Sequence, residues 1–308
     1  MAFMHIRRAI SFLLLSMLAL PAAAVAQETP GDSADEPERA HPLFDEGKLL
    51  ATGGVSQVEG AAGGGLSTWA VIGGYGTDDG IGVTVHETFI GLRSFSLNSV
   101  GVAAGLYDRV ELSYVHQTFN TGNTGAALGL GKNFKFDEDV YSAKLRLFGT
   151  LVYDQSTWVP QTAAGLQYRV NDRPDILHAV GAKDADGVDF YVAATKLFLS
   201  ESVLAATTLR FTRANQFGIL GFGSAAHDGY QPEFEGSLAY LVSKRFAVGA
   251  EYRTKPSNLG FSEQNVYDLF AAYFLNKHAS VTLAYVDLGT IETRQDQNGV
   301  FASLQLGI

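Results

Sequence analysis

Hydrophobic and polar positions alternate with a period of two along most of this chain. Between residues 246 and 253, Phe246, Val248, Ala250 and Tyr252 share one face, while Ala247, Gly249, Glu251 and Arg253 share the other. The stretch 139–148 divides the same way, with Tyr141, Ala143, Leu145 and Leu147 opposing Ser142, Lys144 and Arg146. Val110, Leu112 and Tyr114 oppose Glu111 and Ser113; Leu209 and Phe211 oppose Thr208 and Arg210; Val281, Leu283 and Tyr285 oppose Ser280, Thr282 and Ala284. Such alternation predicts strands with one apolar face, which a soluble sandwich also contains. Two further features separate the cases. The runs last about 9 to 11 residues, the span of a tilted membrane strand, where soluble strands average nearer five or six. Short turns at 106–108, 199–201, 242–244 and 275–277 also alternate with long polar or glycine-rich connections at 119–138, 170–187, 212–231 and 254–264. A closed antiparallel transmembrane β-barrel with brief turns at one end and long loops at the other has this layout.

The segments number about fourteen, an even count that leaves both chain ends on one side of the membrane. They fall at 49–57, 66–73, 82–90, 95–104, 109–118, 139–149, 159–168, 188–198, 203–213, 233–241, 246–254, 265–274, 279–287 and 299–308. Gly53, Gly54 and the run Gly63–Gly64–Gly65 dilute the pattern of the first two. If those two line the lumen or fold inward, the count is twelve.

Composition adds the address. Arg7 and Arg8, the apolar run 9–20, Pro21 and the small-residue sequence Ala24-Val25-Ala26 read as a signal peptide over 1–26. Residues 27–47 are acidic, bear Pro, Gly and Ser, and lack apolar periodicity, so a disordered periplasmic tail is expected before a barrel over 48–308. The chain has no cysteine, so closure falls to hydrogen bonding and packing rather than to disulfides. Its 34 glycines and 11% aromatic residues suit strands, tight turns and an interfacial aromatic belt, to which Trp69, Trp158, Tyr107, Tyr141, Tyr168, Tyr240, Tyr252, Tyr273 and Tyr285 are assigned. A formal charge of −10 argues against a nucleic-acid partner. The partners expected are outer-membrane lipid and lipopolysaccharide. The strand 299–308, apolar at Val300, Ala302, Leu304, Leu306 and Ile308, resembles the C-terminal signal read by the barrel-assembly machinery, with Ile308 where Phe is usual. All outward faces look equally suited to lipid, so a monomer is expected.

The blocks 49–77 (LLATGGVSQVEGAAGGGLSTWAVIGGYGT) and 108–122 (DRVELSYVHQTFNTG) resemble a proteobacterial family of predicted outer-membrane β-barrel proteins of unknown function. The likeness runs from about Leu49 to Ile308 and implies an envelope barrel, without supplying catalytic or binding residues.

Candidate chemistry concentrates on the inward faces. Lys144, Arg146, Arg210, Glu235, Glu251, Arg253 and Asp268 are predicted to form a lumen charge belt of cross-strand ion pairs, with four neighbouring strands placing theirs near one level. The belt reads either as a charge filter or as a register lock. Small inward residues (Ala163, Gly165, Ala193, Ala206, Ala239, Ala247, Gly249, Ala272 and Ala284) leave volume, which favours a passive channel for small solutes. The alternative is a non-conducting structural or partner-binding barrel whose lumen is plugged by loops or by the glycine-rich segment 53–65. Tyr191, Phe270 and Phe301 are inward aromatics too scattered for a sugar ladder. Asp184, Asp186 and Asp189 offer a weak loop metal candidate without the distal Glu of an EF-hand. The histidines lack metal-ligand spacing, no cofactor is expected, and the glycine pattern of 73–82 precedes a strand rather than the helix that phosphate binding needs. A barrel enzyme would need a Ser/His/acid cluster, for which Ser113 with His116 is the visible pair.

Overall fold

A computed structural model describes residues 43, 44, 47–260 and 263–308; the expected signal peptide, and all but a few residues of the expected acidic tail, lie outside the described residues. Twelve antiparallel strands close into a barrel. Two strands are short and lie within the first part of the described chain, β1 (Val55–Ser56) and β2 (Ala62–Gly63). The wall begins with β3 (Ile81–Leu92), β4 (Ser96–Leu106), β5 (Val110–Asn120) and β6 (Lys135–Phe148). It continues with β7 (Gln161–Asn171), β9 (Asp186–Phe198), β10 (Val203–Thr212) and β12 (Gln231–Ser243). It ends with β13 (Phe246–Arg253), β14 (Val266–Phe274), β15 (Ala279–Asp287) and β16 (Asn298–Gly307). Strands β8 (Ala182–Asp184) and β11 (Phe222–Ser224) pair with each other in the long loops. Strand β16 pairs with β3 from Gly299 opposite Leu92 to Gly307 opposite Thr84, so no wall edge is left open.

The period-two pattern sets this wall. Inward and outward side chains alternate along the wall strands, and many of the outward ones are large and apolar: Leu238, Leu269 and Leu283 are each more than half exposed. A band of exposed Leu, Val and Phe around a whole molecule has no place in water and fits acyl chains. Tyr252, Tyr267 and Tyr285 stand outward near the loop ends, and Tyr240 and Tyr273 near the turn ends, as two interfacial girdles require. At the tight turn between β4 and β5, Tyr107 and Asp108 both adopt positive φ (53° and 45°), and the Arg109 amide donates to the Leu106 carbonyl at 2.9 Å. This is the mirror-image two-residue turn whose twist matches paired strands.

The stretches 49–57 and 66–73 take no place in the wall. They belong to one inserted segment that runs through the lumen, which leaves the twelve-strand count. Its hairpin is β1 with β2, Val55 opposite Gly63 and Ser56 opposite Ala62. The physical reason is its composition. Between Gly53 and Tyr75 the only charge is Glu59, and the glycines let backbone approach the wall where side chains could not. A Cβ on Gly105 of β4 would come 2.1 Å from the Gly73 carbonyl oxygen, so segment and wall touch backbone to backbone. Trp69, expected in the interfacial belt, is instead 5% exposed inside the barrel, whereas Trp158 is 84% exposed in the connection between β6 and β7.

Candidate functional site

The inward charges meet the inserted segment. Glu111 of β5 accepts from the Ala62 amide (3.0 Å) and the Gly73 amide (2.7 Å), one on each carboxylate oxygen. Lys144 of β6 pairs with Glu111 at 3.0 Å and donates to the carbonyls of Ala62 (3.0 Å) and Val71 (2.9 Å). Glu251 of β13 accepts from the amides of Gly65 (2.7 Å) and Leu66 (2.6 Å), and Glu235 of β12 from the amide of Thr68 (2.7 Å). Uncharged wall residues do the same: Thr195 accepts from the Ala70 amide, Gln161 donates to the Ala70 carbonyl, and both Ser99 and Gln117 donate to the Val58 carbonyl. An irregular buried segment must satisfy its backbone groups, and here the wall side chains supply what a sheet ladder would.

The one charge on the segment is the centre of this socket. Glu59 is 1% exposed and pairs with Arg169 of β7 at 2.9 Å, Arg253 of β13 at 3.1 Å and Arg210 of β10 at 3.8 Å. Each guanidinium has wall partners as well: Arg210 bonds Glu235 at 2.6 Å, Arg169 faces Asp189 at 3.3 Å, and Arg253 faces Glu235 at 3.6 Å. Burial by itself would push the Glu59 carboxyl up, but the Arg169, Arg253 and Arg210 guanidiniums outweigh it and hold the group at about 2.

The belt residues therefore divide. Arg210, Glu235, Glu251, Arg253 and Asp268 face inward in register, Glu235 opposite Arg253 and Glu251 opposite Asp268. Lys144 sits nearer the turn end, opposite Glu111. Arg146 lies where a bulge interrupts the β6–β7 register, and pairs with Asp108 at the mouth rather than at mid-lumen. Glu111, Lys144, Glu235, Glu251, Arg210 and Arg253 bond or pair with the segment, whereas Arg146 pairs with Asp108 and Asp268 lies opposite Glu251. The small inward residues leave room that the segment occupies, so in this structure that volume is not an open passage.

Arg169, Glu59 and Asp189 are lumen charges that the sequence pattern does not single out. Arg169 follows the inward alternation of Gln167 and Asn171, but the predicted strand stops at 168. Asp189 lies inside β9, not in a loop, and faces Arg169 and Arg210. Asp184 pairs with Arg213 and Asp186 accepts from the Tyr168 hydroxyl, so the three candidate metal carboxylates have three different sets of partners. Ser113 points inward and His116 outward to Asp139, on opposite faces of β5. Loops cover the other end: the loop 213–230 sends Phe217 over Arg253, 4.3 Å from guanidinium to ring centroid, and the Phe217 carbonyl accepts from Arg169.

Among solved structures, the chain is similar to the KdgM porin, at 9% identity over 72% of this chain and 98% of that one, with a TM-score of 0.48. It is similar to the Acinetobacter baumannii outer membrane protein Omp33, at 8% identity over 73% and 97% with a TM-score of 0.42. It is also similar to outer membrane phospholipase A from Escherichia coli, at 9% identity over 76% and 94% with a TM-score of 0.40. No curated protein matches the sequence. Residues 52–305, which take in both the lumen segment and the wall, match the family described as "Protein of unknown function (DUF3034)", and the chain belongs to that family.

Proposed function

We propose that this protein is an outer-membrane barrel held shut at rest by its own N-terminal segment, a plug, and does not conduct in that state. The observation that carries the reading is the occupancy of the lumen charges. Glu111, Lys144, Glu235 and Glu251 bond plug backbone, and three guanidiniums share Glu59. Export by the signal peptide, contact with lipid and lipopolysaccharide through the apolar exterior, insertion through the strand 299–308, and a monomeric state complete the proposal. The test is conductance of residues 27–308, refolded, in a planar lipid bilayer. The intact protein is expected to be silent, and steady ohmic steps from it would overturn the closed reading.

A second reading has an observation of its own. The plug carries one charge and is gripped largely by hydrogen bonds, so a solute channel could open by its displacement, lined by the charges it vacates. Under that reading Glu59→Ala conducts, and adding Arg210→Ala or Glu235→Ala shifts its reversal potential in a salt gradient. Silence from Glu59→Ala, with the plug shown to be displaced, would leave the structural or partner-binding role.

A further inference from the structure

Two cavities adjoin at the turn end of the lumen, and their chemistry differs. The first, about 230 Å³, has a mixed lining in which Lys48, Asp108, Arg146, Thr150 and Gln161 supply the polar part, with Asp78 at its exposed edge. The second, about 40 Å³, is apolar and lies against Trp69, Leu197, Leu204, Ala247, Phe270 and Phe274. Thr52 and Leu151 line both, so the two are neighbours.

Each is lined by a residue that has a buried donor without a hydrogen bond. In the first, Asp108 pairs with Lys48 at 2.7 Å and also with Arg146, so one carboxylate answers two cations, and Arg146 Nε is buried with no hydrogen bond. In the second, Trp69 Nε1 is likewise buried and unpartnered. Ordered water needs two to four polar neighbours, which the apolar slot does not offer. Away from Asp78 at the rim, Lys48 and Arg146 share the single carboxylate of Asp108, so this end offers an unspent N–H donor to an acceptor, and the small apolar slot beside it suits the end of a hydrocarbon chain.

We infer that this mouth binds a single-chain amphiphile with an anionic head, the head at Lys48 and Arg146 and the tail end against Trp69. The inference rests on the seated plug, because Trp69 belongs to it. A free fatty acid and a lysophospholipid share this chemistry.

The test uses Trp69 as reporter in the Trp158→Phe protein, reconstituted in nanodiscs, where bromine in contact quenches indole emission. With 10-bromodecanoate, saturable quenching is expected. An uncharged 10-bromodecanol should bind about tenfold more weakly, as should 10-bromodecanoate to Lys48→Ala or Arg146→Ala, for the loss of charge-assisted hydrogen bonds. Filling the slot, by Ala272→Phe or by the milder Ala247→Leu, should abolish quenching while emission stays blue. A lysophosphatidylglycerol brominated at its tail end that saturates where bromodecanoate does not assigns the lysophospholipid; the reverse assigns the fatty acid. Blue emission with no saturable quenching by either overturns the site and leaves the plug intact. Red emission, quenched by acrylamide before any amphiphile is added, overturns the seated plug and the site with it.

Discussion

Glu59 shows how much a single residue can decide inside a barrel. It lies on the plug rather than on a membrane-spanning strand, and its three arginine partners come from β7, β10 and β13. Truncating it strands those guanidiniums in a buried site, and Glu59→Ala is expected to weaken plug seating by about 3–5 kcal/mol, the usual cost of removing one partner of a buried ion pair. Denaturant titration of Trp69 emission measures that loss. The pH dependence follows from its low titration. The carboxyl ionises at about 2 when the plug is seated, against 4.5 unperturbed, so the displaced plug binds the proton more readily. Its contribution is complete above about pH 4.5 and is lost as pH falls towards about 2. In the Trp158→Phe background, Trp69 emission should shift red across that window, and Glu59→Gln should remove the step.

At the scale of elements, the plug hairpin depends on close backbone approach. A Cβ on Gly63 would sit 2.2 Å from the Ser67 carbonyl oxygen, a backbone atom that cannot swing away. Gly63→Ala is therefore expected to loosen the hairpin by about 1–3 kcal/mol, the range for overpacking, while the wall still forms. Heat-modifiable electrophoretic mobility retained alongside red-shifted Trp69 emission would show this. The contrast between plug and wall also explains what the sequence disclosed. Wall strands declare themselves because lipid on one side and polar lumen on the other impose a strict alternation, and β15 begins and ends at the predicted 279 and 287. The inward faces of Arg210, Glu235, Glu251, Arg253 and Asp268 follow from the same alternation. The plug has no such periodicity, since wall side chains surround it on every side. Its run of Ser, Gly and apolar residues around one Glu reads equally as a weak strand pair. What the belt charges bond to is therefore invisible in the chain: the partners of Glu111 and Glu251 are plug amides, which every residue but proline carries.

For the molecule as a whole, the lipid-facing exterior and the plugged interior bear on different measurements. Leu283 stands outward near the middle of β15, and Leu283→Arg is expected to cost about 2–4 kcal/mol of folding in vesicles, as a cation at mid-bilayer does. A urea titration of refolding checks it, and the plug should play no part. The plug's contacts also constrain the order in which the molecule assembles. It precedes every wall strand in the chain, yet it bonds Gln305 of β16 through both the Ser56 amide and hydroxyl, 249 residues away, and Glu251 of β13 from 185 residues away. Its seat does not exist until the last strand has zipped against the first. Contacts of such long sequence separation form late. The earliest-made part of the barrel should thus be the last to settle, and Trp69 burial should lag behind strand formation as a clock for completed closure.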